Sequence, residues 1–144
     1  MSKFVVSEEF RKMNLGLALD EGLASPDDTI PVYYGERNVF WVKFIVPGNP
    51  GHGSRFIEGT AGEKVQKLIN KVLGYRETMK KHFEANPKLT LGDVTTVNLT
   101  MMSGGVQMNV VPQEFSLGFD MRITPTTNIV EFEKMLREWC AEVS

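Results

Sequence analysis

The chain has 144 residues, 42% of them hydrophobic and 24% charged, with a net charge of −2. Those proportions describe a globular protein with a packed core, and the length allows one domain or one domain with a piece of another. The acidic balance, with a pI near 5.7, argues against nucleic-acid or acidic-membrane partners, and no apolar run reaches the length of a membrane span.

In chain order, Ser7 caps a short helix running through Met13, with Glu8 and Glu9 in its first turn. Residues 15–19, Leu-Gly-Leu-Ala-Leu, are apolar on both faces and predict a strand buried within a parallel sheet. The run stops at Asp20-Glu21-Gly22. Ligands gather at the carboxyl ends of strands in open α/β sheets, although a charged strand end followed by a turn has the same composition. Residues 24–29 read as a loop around Ser25-Pro26, and residues 31–36 as a short strand that Gly35 bends. Residues 1–36 therefore have the character of a remnant of an α/β sheet, too small to fold alone.

Residues 39–46, Val-Phe-Trp-Val-Lys-Phe-Ile-Val, are β-branched and aromatic, hence strand. The loop Gly48-Asn49-Pro50-Gly51-His52-Gly53-Ser54-Arg55 follows, with three glycines, a proline and one of the two histidines. Thr60 and Glu63 have capping-box spacing, and Val65, Leu68, Ile69, Val72, Met79 and Phe83 give one apolar face to a helix that Asn86-Pro87 ends. Residues 94–102 alternate, with Val97, Leu99 and Met101 on one face; Ser103-Gly104-Gly105 then turns the chain. Residues 115–123 alternate most cleanly, Phe115, Leu117, Phe119, Met121 and Ile123 against Ser116, Gly118, Asp120 and Arg122. A last helix starts near Asn128, with Ile129, Phe132, Leu136, Trp139, Cys140 and Val143 as its buried stripe. Cys140, the single cysteine, excludes an internal disulfide framework and fits a reducing compartment, the cytoplasm; on that stripe it reads as a small core residue. Residues 38–144 thus form an α+β domain, a ferredoxin-like β-α-β-β-α series with its final strand missing. Two one-faced helices predict that one side of the sheet is covered and the Asp120/Arg122 side open.

Three common chemistries fail on particular residues. Gly48 and Gly53 have the gap of a phosphate loop, but Ser54 stands where its lysine is needed, and no third glycine completes a dinucleotide fingerprint. Two histidines and one cysteine give no closed metal-ligand set; His82, beside Lys80 and Lys81, reads as a solvated residue near a helix C-terminus. Ser54 lies too close to His52 in sequence for a nucleophile–base pair.

Gly51-His52-Gly53-Ser54 after one strand, Gly104-Gly105-Val106-Gln107-Met108-Asn109-Val110-Val111-Pro112 after another, and Phe119-Asp120-Met121-Arg122 together resemble the lid-domain motifs of the zinc amidohydrolases that include aminoacylase and the succinyl-diaminopimelate desuccinylases. Leu17-Ala18-Leu19-Asp20-Glu21-Gly22 is similar to the aminoacylase form of a metal-ligand strand. Tyr34-Gly35-Glu36-Arg37, Trp41 and Trp139-Cys140 also favour aminoacylase over its cousins. The resemblance implies a catalytic domain split around an inserted lid that makes a homodimer, and hydrolysis of N-acyl-L-amino acids to a carboxylate and a free amino acid. Asp20 would be a zinc ligand. His52 would stabilise the oxyanion in the partner's active site, Asn109 would polarise or position the scissile carbonyl, and Arg122 would pair with the substrate carboxylate. Taken singly, His52 and Asn109 read equally as turn residues and Arg122 as a solvated strand arginine. Gly53 stands where the family commonly has alanine. The remaining zinc ligands, the general base and the last lid strand have no counterpart, so the chain is expected to be an internal fragment, inactive by itself. The competing expectation is a non-catalytic dimerisation or binding module with the lid fold.

Overall fold

The computed structural model describes residues 2–18, 24–30, 32–33 and 35–144. The chain divides into two units, Met1–Tyr34 and Gly35–Ser144. In the first, helix α1 covers Ser2–Val5 and α2 covers Glu8–Met13. Ser7 Oγ accepts the Phe10 N–H at 3.2 Å, the expected cap, and Asn14 closes α2 in the left-handed region at φ 46°. Phe4 and Phe10 meet edge to face, 5.4 Å between ring centroids. The loop at residues 24–29 is ordered by Asp27, whose Oδ1 accepts the Thr29 N–H at 2.8 Å, as turn-forming aspartates do.

The two strands expected in this unit are not formed over its described residues. Residues 15–18 are irregular and Leu15 and Leu17 are exposed. A strand apolar on both faces needs neighbouring strands to pair with, and the described part of this unit contains none. Residues 32, 33, 35 and 36 carry no strand either. Asp20, with residues 19 and 21–23, lies outside the described residues.

The second unit runs β1 (Asn38–Pro47), β2 (Gly51–His52), α3 (Ala61–Glu84), a single 3-10 turn (Leu91–Asp93), β3 (Thr96–Gly104), β4 (Val110–Val111), β5 (Glu114–Ile123) and α4 (Ile129–Val143). Its main sheet has the order β1-β5-β3, with both outer strands antiparallel to β5. β1 and β3 are therefore parallel to each other and joined through α3, which is the split β-α-β of a ferredoxin-like fold. β2 and β4 pair in a separate ribbon.

Alternation along β5 sends Leu117, Phe119, Met121 and Ile123 into the core, each no more than 1% exposed. Opposite them lie Phe44 and Val46 of β1, Val65, Leu68 and Val72 of α3, and Phe132, Leu136 and Val143 of α4. Phe44 and Phe119 pack edge to face at 5.7 Å, a favoured geometry for aromatic rings. The capping box at Thr60 forms as expected, with the Glu63 carboxylate accepting the Thr60 N–H at 2.8 Å and Thr60 Oγ1 accepting that of Glu63 at 3.3 Å. Asn128 caps α4, and a Lys71–Glu142 ion pair joins α3 to α4. Cys140 packs against the core, and burial pushes its thiol pKa up, in keeping with the small-core reading. His82 lies exposed in the last turn of α3.

One detail of β3 departs from the alternation. Leu99 pairs with Phe119 but Met101 pairs with Gly118, leaving Thr100 as the extra residue of a bulge. A bulge breaks the period of two. Met101 is consequently 73% exposed instead of sharing the core face of Val97. Its Cβ lies 3.0 Å from where a Cβ on Gly118 would stand, so the glycine makes room for it.

Candidate functional site

β1 ends against α3 at Gly48, which donates its N–H to Gln113 O at 2.8 Å. A Cβ there would fall 1.9 Å from the Ala61 nitrogen. From that junction the chain runs into β2, where Gly51 pairs with Val111 and His52 with Val110. The Gly53 N–H donates to Asn109 O at 2.8 Å, extending the ribbon by one bond. Two turns that each look like a loop in sequence are thus locked together by backbone bonds, and this brings His52 beside Asn109.

His52 Nε2 faces the Asn109 side-chain amide at 3.5 Å. Its Nδ1 lies 2.8 Å from Ser54 Oγ and accepts the Ser54 backbone N–H at 3.3 Å. A backbone N–H only donates, so Nδ1 presents a lone pair and the neutral imidazole carries its hydrogen on Nε2. Turning the Asn109 amide so that Oδ1 meets that hydrogen completes the pair, an assignment made from the bonding pattern. His52 and Asn109 are both exposed, and the fully exposed apolar side chains Phe56, Val106 and Met108 stand on the same two loops.

Arg122 is not part of this cluster. It lies eight positions along β5 from Glu114, where the ribbon joins, a strand length of roughly 25 Å. Its guanidinium is held side-on by Asp120, Nε to Oδ1 at 2.7 Å and Nη2 to Oδ2 at 2.9 Å. Asp120 Oδ2 also accepts the Trp41 indole N–H at 3.1 Å, the two residues being directly opposed in the β1–β5 register. These bonds, the Arg122 ones foremost and then the indole, hold the Asp120 carboxyl below the usual carboxylate range. On the same open face Arg37 donates to Thr96 Oγ1 at 3.0 Å. Trp41, Lys43, Thr100, Met101, Ser116 and Asp120 line an open groove of about 770 Å³.

Sequence reasoning missed two partners. Ser54, set aside as a nucleophile, acts on the ring of His52; its place two residues on was the available signal. Trp41 stood out as a motif residue, but its bond to Asp120 depends on strand register, which the sequence does not state. Among the described residues no three His, Cys, Asp or Glu side chains are grouped to hold a metal ion. The described residues therefore do not fit a zinc centre. Among them, too, no helix is long and apolar enough to cross a membrane.

A three-stranded antiparallel sheet with helices on one side, and a ribbon presenting a His–Asn pair away from it, defines an α+β lid domain. The chain belongs to the peptidase dimerisation domain family, which residues 34–144 match. It is 49% identical over 142 residues to aminoacylase-1 of Mus musculus, covering 99% of this chain and 35% of that one. It is 46% identical over 153 residues to aminoacylase-1 of Dictyostelium discoideum, covering 99% and 38%. The chain thus spans little more than a third of the length of these relatives. A solved M20 family metallo-carboxypeptidase from Sulfolobus solfataricus superposes with a TM-score of 0.53 at 13% identity, over 76% of this chain and 41% of that one, a likeness of fold.

Proposed function

We propose that this chain is the lid and dimer-forming part of a zinc-dependent amidohydrolase that cleaves N-acyl-L-amino acids, and that residues 1–36 are an edge of its catalytic α/β domain. The pairing of His52 with Asn109 on the β2–β4 ribbon carries this reading. His52 Nε2–H donates to the oxyanion of the tetrahedral intermediate, where such a donor contributes ~3–4 kcal/mol to the transition state. Asn109 orients the scissile carbonyl towards it. Arg122 takes the free carboxylate of the substrate, for which guanidinium geometry suits bidentate binding. Its distance along β5 from the ribbon fits a homodimer in which His52 and Asn109 serve the partner's site and Arg122 another. The exposed Phe56, Val106 and Met108 beside His52 favour the same arrangement, since apolar side chains on loop tips are covered when a partner receives them. Asp20 remains the candidate metal ligand, with the other ligands and the general base supplied by the longer enzyme. A cytoplasmic location fits the unpaired, half-buried Cys140.

The test is hydrolysis of N-acetyl-L-methionine by the longer enzyme that carries this segment, beside the 144-residue chain. Turnover with bound zinc is expected in the first and neither in the second. A longer enzyme that binds zinc yet leaves N-acyl-amino acids intact overturns the proposal in favour of a binding module.

A further inference from the structure

We infer that Asp120 and Trp41 are positioning residues for Arg122, together fixing its guanidinium as an end-on fork for a ligand carboxylate. The inference rests on Arg122 being the carboxylate partner and says how it is made ready.

A guanidinium has five N–H donors in one plane. Asp120 engages the Nε–H and one Nη2–H. Among the described residues Nη1 makes no hydrogen bond, so both of its hydrogens and the second Nη2–H remain free. One Nη1–H and that Nη2–H lie parallel at the tip, the geometry that a carboxylate accepts with two oxygens. Asp120 therefore does not use the edge that a ligand needs.

The clamp is built by the sheet. Asp120 and Arg122 lie two positions apart on the same face of β5, where alternate residues are neighbours. Trp41 faces Asp120 across the β1–β5 ladder. Its indole can only donate, and it does so to the oxygen that also holds Arg122 Nη2, so the carboxylate itself has one orientation. The Arg122 side chain is 40% exposed and that of Asp120 25%: the fork is open to a ligand while the clamp is more enclosed. A free strand arginine would have to give up its rotamer freedom on binding; here that ordering is complete beforehand.

Positioning and simple occupation predict opposite signs. If Asp120 merely competes for Arg122, neutralising it improves binding of a carboxylate. If it positions Arg122, neutralising it weakens binding, despite the removal of a negative charge.

The experiment compares the longer enzyme and its Asp120→Asn, Trp41→Phe and Arg122→Ala variants on N-acetyl-L-methionine and on its methyl ester. Asp120→Asn should raise KM for the free acid roughly three- to tenfold with kcat little changed and the ester unaffected. Trp41→Phe, an exposed position that folding tolerates, should show the same selectivity at smaller size. An unchanged or lower KM in Asp120→Asn, or an equal loss on acid and ester, overturns the clamp. Arg122→Ala reports separately on the assignment beneath it: selective loss on the acid supports it, equal loss removes it. In the 144-residue chain, NMR should find the Arg122 Nε–H slow to exchange with water and fast in Asp120→Asn. Exchange as rapid as that of other surface arginines in the unsubstituted chain contradicts the geometry directly.

Discussion

Replacing Gly48 by alanine tests how the fold aims the His52 ribbon. The added Cβ would lie 1.9 Å from Ala61 N, 2.5 Å from Thr60 C and 2.6 Å from Ala61 Cα, all backbone atoms. Ordinary contact requires about 3.5 Å, so the junction must open by about 1.5 Å. Neither side yields readily. Gly48 is bonded to Gln113 O, Asn49 N–H to Gly59 O at 3.1 Å, and Asn49 Nδ2 to Glu58 O at 2.9 Å. On the other side, Thr60 and Ala61 begin α3 within the capping box. Overpacking costs ~1–3 kcal/mol and a damaged cap about 1 more, giving ~2–4 kcal/mol. In urea that lowers the midpoint by roughly 1–2 M. Two controls sharpen the comparison. A Cβ on Gly53 would meet Asn109 O at 3.4 Å, an ordinary contact, so Gly53→Ala should change stability by less than ~0.5 kcal/mol. Gly74, in α3 with nothing within 4 Å, should stabilise the chain by ~0.5–1 kcal/mol when replaced by alanine. A Gly48→Ala midpoint indistinguishable from that of Gly53→Ala would mean that the junction takes up the Cβ without strain, because the clash is what separates the two variants.

Acid should destabilise the chain in a defined direction. Asp120, Glu63 and Asp93 have carboxyl pKa values lowered in the fold, first by the bonds from Arg122, Thr60 and Thr90 respectively. A lowered folded value gives stability that is present above the ordinary carboxylate range, near pH 4, and lost as pH falls through the folded values. Melting temperature should therefore drop below about pH 4, less so in Glu63→Gln; a Glu63→Gln profile as steep as the original contradicts the cap's share. Cys140, half-buried with its thiol pushed up, should react with a disulfide reagent far more slowly in the native chain than in urea. Equal rates would place it outside the core.

The sheet-and-helix domain was legible because each element carries its own signal: the alternation of β5, the capping box of α3, the Asn128 cap of α4 and the apolar stripes of both helices. What the sequence could not supply was anything set by pairing. The bulge at Thr100 moves Met101 to the open face, although Val97, Leu99 and Met101 alternate without interruption. The ribbon joining Gly51-His52 to Val110-Val111 consists of two two-residue strands, too short for any periodicity; the family resemblance named His52 and Asn109 as site residues, but their contact appears only in the structure. Trp41 reaches Asp120 through register, for the same reason. The first unit shows the converse. Residues 15–18 have strand composition, but a strand is completed by neighbours, and composition does not say whether they are present.

His52 is proposed as an oxyanion donor. The most direct test of this role is the turnover of N-acetyl-L-methionine by the longer enzyme carrying His52→Ala, with metal content measured on the same sample. A fall in kcat of roughly 10²–10³ with the metal retained is expected. An unchanged kcat in a folded, metal-bound variant would contradict it.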